Sequence, residues 1–157
     1  MPDPIPALKH PRLSALFALW RQRRGGGAVP TTEALNPAEL RMWLGNLLLI
    51  DVVRGEDFVY RYYGQALADA FGADMVGRSI AGLPAEQRDI LFAEYDRVRS
   101  ERLPIARAYT AVFEDGVATW ERLVLPLSED GEAVTKLLVA AYRLDTPGVV
   151  TPLPRRG

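Results

Sequence analysis

Cysteine is absent from this chain of 157 residues, and histidine occurs once, at position 10. Without thiols there is no disulfide, no thiolate nucleophile, no cysteine-based zinc site and no iron–sulfur ligation. A Ser-His-Asp triad or a His-rich metal site would depend on that single imidazole, which disfavours an enzyme. An excess of either charge is also lacking. Nineteen basic residues stand against 20 acidic ones, a formal net charge of -1, so no global field advertises nucleic acid or an anionic membrane. Long hydrophobic runs are missing as well, none reaching the roughly 18 residues of a membrane span. The apolar stretch at 13–20 is followed by Arg21-Gln22-Arg23-Arg24 and by no small-residue cleavage site, so it reads as a helix and not as a signal peptide. Arg23-Arg24 precedes Gly25-Gly26-Gly27 instead of an apolar segment, which removes the twin-arginine export reading. The expectation is a cytoplasmic protein that binds neither nucleic acid nor membrane.

What is present is the composition of one soluble domain, 48% apolar and 25% charged, with 13 Gly and 12 Pro. The proline-rich start marks residues 1–10 as a flexible arm. Residues 11–45 form a helical extension, 46–145 the main domain, and 146–157 a flexible tail. Leu13, Leu16, Phe17 and Trp20 fall at helical spacing and make one apolar stripe, with Gly25 as the stop. A second short helix is expected from Asn36-Pro37-Ala38-Glu39, where Asn caps and Pro suits the first turn, and Gly45 closes it.

Strands are then expected at 47–53 and 58–63 around a turn at 54–57, followed by a short helix at 65–71 and an irregular stretch through Gly72, Gly77 and Gly82. Pro84 and Glu86 open a longer helix with a core stripe of Leu91, Tyr95 and Val98, and Pro104 prevents its continuation. Two hairpins follow, with strands at 105–113, 117–127 and 133–144. The order is that of an α+β fold with an antiparallel sheet. Several strands are apolar at both parities, so both faces of the sheet should be covered. The internal helices can cover one face, leaving the N-terminal helix or a second subunit for the other, which points toward a homodimer.

The segments Tyr62-Tyr63-Gly64-Gln65-Ala66-Leu67, Phe71-Gly72 and Met75-Val76-Gly77-Arg78-Ser79 resemble the strand-to-helix signature of PAS domains. The resemblance covers about 45–144 and implies a five-stranded antiparallel sheet in the order 2-1-5-4-3. More narrowly, the chain resembles a bacterial group of small stand-alone PAS-like proteins. The residues carrying that likeness are a helix ending in Trp20, Pro30-Thr31-Thr32, Leu35-Asn36-Pro37, Tyr60-Arg61-Tyr62-Tyr63-Gly64, Leu125-Pro126-Leu127 and Asp130-Gly131. Thr31-Thr32 and Asn36 depart from that group's usual Ser-Arg and Asp, which puts any role of the arginine in doubt. The resemblance implies a sensory or regulatory module that works through small-molecule binding, through protein association, or both, with no catalytic output.

The cofactor is left unknown. A light-sensing flavin adduct needs a cysteine and is excluded, and haem held by a helix histidine is disfavoured because 84–102 contains none. Candidate ligand-binding residues are Tyr60, Tyr63, Tyr109 and Trp120, as an amphipathic lining, and Arg61 and Glu121, as charges embedded in strands. Glu121 shares parity with Leu123, Leu125 and Leu127, which turns it inward if that face is the core face. In the implied sheet order Arg61 and Glu121 stand about 14 Å apart, at about 4.8 Å per strand, so a direct salt bridge would need strong curvature of the sheet, while both could reach a ligand between them. The simpler alternative places Arg61 on the outer face against a surface acid and Glu121 in water at a sheet edge. Candidate interface residues are Leu13, Leu16, Phe17 and Trp20, for a second copy or another protein. His10 is expected at the solvated surface, and no metal site is expected. Two other readings stay open: a purely structural dimerisation module, and a cone-shaped α+β small-molecule enzyme with Glu121 as its base.

Overall fold

Gly64, Gly72, Pro84 and Pro104 stand at boundaries between elements. The computed structural model describes residues 8–24, 29–54, 57–113 and 116–144. The expected arm at 1–7, the Gly triplet, the tips of the turns at 55–56 and 114–115, and the tail at 146–157 lie outside the described residues. Helix α1 spans Pro11–Arg24. Strands β1 (Leu47–Val53) and β2 (Asp57–Tyr63) follow, then α2 (Gln65–Phe71), α3 (Ala85–Glu101), β3 (Ile105–Phe113), β4 (Gly116–Ser128) and β5 (Val134–Arg143). The expected helix at 36–45 is instead a turn leading into a 3-10 segment, Arg41–Asn46. Asn36 still accepts the Glu39 N–H at 3.0 Å, as a cap should.

All pairings between strands are antiparallel, in the order β2-β1-β5-β4-β3. This is the order implied by the resemblance, and it removes the cone-shaped alternative. The two faces of the sheet carry separate cores. Trp120, Val124, Leu137, Val139 and Ala141 face α3, where Leu91, Tyr95 and Val98 meet them. The opposite parity, Leu123, Leu125, Leu127, Leu138 and Ala140, faces α1. Successive strand residues alternate sides, so one apolar run supplies both layers.

Leu13 and Leu16 are wholly buried, and Phe17 and Trp20 nearly so, within this one chain. The subunit-interface reading of these four is therefore corrected: the sheet's own outer face takes the place of a partner. Burial of this kind contributes about 1.5–3 kcal/mol per large side chain. Polar ties set the angle of the helix. The Trp20 indole donates to the Pro126 carbonyl at 2.9 Å, and the Trp43 indole donates to the Arg12 carbonyl at 2.8 Å. Pro126 is tolerated within β4 because β3 pairs only as far as Val124, so no β3 carbonyl waits for its missing N–H.

Gly64 joins β2 to α2 at a point where the chain crosses itself. A Cβ there would lie 2.3 Å from the Gly45 carbonyl oxygen. Gly72, by contrast, ends α2 at φ +83 with open space around it. Among the described residues no helix is long and apolar enough to cross a membrane.

Two expected outcomes follow from this packing. Trp20→Ala lowers stability by about 3–5 kcal/mol in urea unfolding, because a buried indole and its hydrogen bond are both lost. An unchanged unfolding midpoint would mean that α1 is not part of the core. Gly64→Ala costs about 3 kcal/mol, from backbone overlap, whereas Gly72→Ala costs only about 1 kcal/mol, from the left-handed backbone. Equal penalties at the two glycines would contradict the crossing.

Candidate functional site

The α3-facing side of the sheet is not fully closed. The segment from α2 to the start of α3 arches over it and leaves an open cleft of about 1440 Å³. That is at or above the size of ordinary small-molecule sites. Three strand positions make the floor: Tyr60 on β2, Tyr109 on β3 and Trp120 on β4. Tyr63, Leu67, Phe71 and Met75 form one wall, and Leu83, Ile90, Leu91 and Tyr95 the other. The wall is tied down by backbone bonds, with Tyr60 donating to the Arg78 carbonyl at 3.0 Å and Gly77 donating to the Tyr60 carbonyl at 2.7 Å. Ser79 completes the tie by donating to Asp57 at 2.6 Å.

Aromatic contacts join the lining residues in pairs. The rings of Tyr60 and Tyr63 meet edge to face at 5.4 Å, and Phe71 lies tilted against Trp120, also at 5.4 Å. Such pairs contribute about 0.5–1.5 kcal/mol beyond their buried area. Burial pushes the Tyr60 and Tyr95 hydroxyls well above the ordinary phenol range and Tyr63 up to about 12, and it raises Tyr109 against the opposing pull of Arg122. At neutral pH these groups keep their protons and can donate hydrogen bonds.

The charged centre of the cleft is a group absent from the sequence expectations. Arg107 on β3 and Arg122 on β4 stand directly opposite each other. Glu94, reaching down from α3, accepts from both, at 2.6 Å from Arg122 and closer still from Arg107. The Arg122 guanidinium also lies over the Tyr109 ring at 4.7 Å. Burial works against the charge of Arg122, but Tyr95 and Glu94 outweigh it and the guanidinium stays ionised. Its Nε has no hydrogen-bond partner among the described residues.

The expected ligand residues therefore divide. Tyr60, Tyr63, Tyr109 and Trp120 come together in the cleft. Arg61 and Glu121 do not join them. Arg61 is two-thirds exposed and pairs with Asp51, whose other oxygen takes Lys136 at 2.5 Å. Glu121 is buried on the α1 face, where its carboxylate accepts the backbone N–H groups of Lys9 at 3.0 Å and His10 at 2.8 Å. A carboxylate at that place also complements the positive end of α1. The strand parity was right and the face was the wrong one for ligand contact. Arg122, one residue on, has the opposite parity and faces the cleft.

His10 corrects another expectation. It is half-buried, its ring stacks on Tyr142 at 4.4 Å, and burial lowers its pKa. The last part of the expected arm is thus docked. Tyr142 shares parity with Leu138 and Ala140, so the imidazole sits across the sheet from the cleft. Among the described residues no group of three His, Cys, Asp or Glu could hold a metal ion. A flavin photoadduct does not fit this chain either, because it contains no cysteine.

The tyrosine cluster makes a pH prediction. Tyr63 ionises near pH 10 when unfolded and near 12 when folded. Its contribution to stability is full below pH 10 and is lost as pH rises toward 12. Ultraviolet titration of the native protein should show a step near pH 12 that Tyr63→Phe removes. A Tyr63 step near pH 10 in the folded protein would show that the cleft is wetter than its geometry implies.

A family profile described as PAS domain matches residues 8–140. No curated protein matches the chain. Among solved structures, the PAS domain of Bordetella pertussis BvgS is similar at a TM-score of 0.52 and 14% identity, covering 85% of this chain and 89% of that one. A sensory box sensor histidine kinase from Vibrio cholerae gives 0.50 and 19%, covering 68% and 87%. A light-oxygen-voltage domain studied with a flavin analogue gives 0.50 and 14%, covering 68% and 82%. At such identities the likeness is one of fold. With the family profile running from the approach to α1 into β5, and the sheet order matching, the chain belongs to the PAS domain family.

Proposed function

We propose that this PAS domain binds a small molecule in the cleft between the sheet and the α2–α3 segment and reports occupancy through association with another protein chain. One observation carries the reading: the two sheet faces are treated differently. The outer face is sealed by α1, while the inner face keeps an open, aromatic-lined volume with protonated hydroxyls and a buried guanidinium. A cleft of this size with convergent polar groups on an apolar lining has the make-up of a small-molecule site.

PAS domains are in general sensory modules, and they commonly mediate dimerisation and protein interactions. In this reading the chain acts without catalysis, and the cytoplasmic setting and the homodimer expected from its sequence are kept as part of the proposal. Association would use a surface other than Leu13, Leu16, Phe17 and Trp20, which are already buried. Ile90 and Phe71 line the cleft and are each 40% exposed, so a ligand could alter what that face presents to a partner.

Native mass spectrometry of the purified protein beside a denatured control tests the proposal, because it reads subunit number and retained ligand together. The expected spectrum holds an added mass that is lost on denaturation, on a dimer. A ligand-free spectrum that stays so after incubation with a cell-extract metabolite fraction would contradict ligand sensing and favour the structural dimerisation module.

A further inference from the structure

We propose that the cleft's ligand is a small planar carboxylate, its ring packed on the Trp120–Phe71 pair and its charge held by Arg107 and Arg122. The inference rests on the reading of the cleft as a ligand site.

The pairing of three strands gathers arginines around one indole. On the cleft face Trp120 stands opposite Tyr109 on one side and Arg143 on the other, and two residues along the same strand Arg122 stands opposite Arg107. Arg107, Arg122 and Arg143 all line the cleft. Like charges directly opposite each other weaken a sheet, so the Arg107–Arg122 pair needs an acid. Among the described residues Glu94 bridges the two, and one carboxylate against two guanidinium groups leaves a positive charge in excess. The acids in the lining, Asp69 and Glu86, are both exposed, and Asp69 is engaged by Gln65 at 2.8 Å.

Accessibility separates the two arginines. The Arg122 side chain is 11% exposed and already spends its Nη2 on Glu94. The Arg107 side chain is 47% exposed, so it is the one a ligand meets first. Guanidinium is the side chain whose planar fork fits a carboxylate, and charge-assisted bonds of this kind exceed neutral ones. The surrounding phenols are proton donors, so the polar lining as a whole suits an acceptor. The apolar remainder of the lining, with Leu67, Met75 and Leu91, suits a flat hydrocarbon body.

Calorimetric titration of the full chain with cinnamate and with its neutral isostere cinnamamide separates charge recognition from apolar filling. Cinnamate is expected to bind roughly tenfold or more tightly than the amide. Arg107→Gln should weaken cinnamate by about that factor and leave the amide unchanged, because the Glu94–Arg122 bond persists. Arg97→Gln, on the exposed flank of α3, removes the same net charge and should change neither. Equal affinity for acid and amide, or full cinnamate affinity in Arg107→Gln, overturns the anion inference while leaving the cleft reading in place. Binding of neither probe also overturns it, and the native mass spectrum then decides the cleft reading by itself.

Discussion

An antiparallel sheet whose central strands carry apolar side chains on both faces through their middle has no side to give to water there. In β4 the residues from Leu123 to Leu127, and in β5 those from Leu137 to Ala141, are buried almost throughout, so each face must find a cover. The rest of the architecture answers that demand. α3 and the short elements before it cover one face, and α1 folds back from the N-terminal side to cover the other. The return is anchored at both ends, by Glu121 at the start of the helix and by the Trp20 indole near its end. Glu121, a buried acid that would otherwise be a liability, becomes the point where α1 begins.

The two covers differ in kind, and the difference is where function enters. α1 is one regular helix that meets the sheet through four large side chains. The other cover is assembled from a seven-residue helix, a 3-10 turn and one long helix, with glycines between them. Such a patchwork cannot seal a twisted sheet at every point, and the unsealed part is the cleft. Glu94 then ties the long helix to two strands through the paired arginines. A buried ionic bridge of this sort adds little net stability but fixes a geometry, here that of α3 against β3 and β4.

Much of the fold was legible because stops and starts coincide with residues that have no alternative. Gly64, Pro84 and Pro104 sit at element boundaries, and the strand runs between turns are unmistakable in pattern. The apolar stripe of α1 announced burial but not what would bury it, since a sheet face of the same chain and a second subunit present the same chemistry to a helix. The site was half legible for a related reason. Aromatic residues in strands pointed to the lining, but parity has two solutions, and the one with Leu123 and Leu125 looked more core-like than the one with Trp120 and Arg122. Counting back along the β3–β4 hairpin would have set Arg107 against Arg122 and raised the question of their shared acid. Glu94 itself carries no such mark, being one acid among several on a polar helix until tertiary packing buries it.

The central claim is that α1 belongs to the folded core while the segment arching over the cleft is a looser cover. Amide hydrogen exchange on the full chain, followed residue by residue, measures both parts at once. The account predicts that the amides of Phe17 and Trp20 exchange as slowly as those of β4 and β5, while the segment at 65–83 exchanges faster through local opening. Rapid exchange throughout α1 above a protected sheet would contradict it, since the outer face would then need another cover.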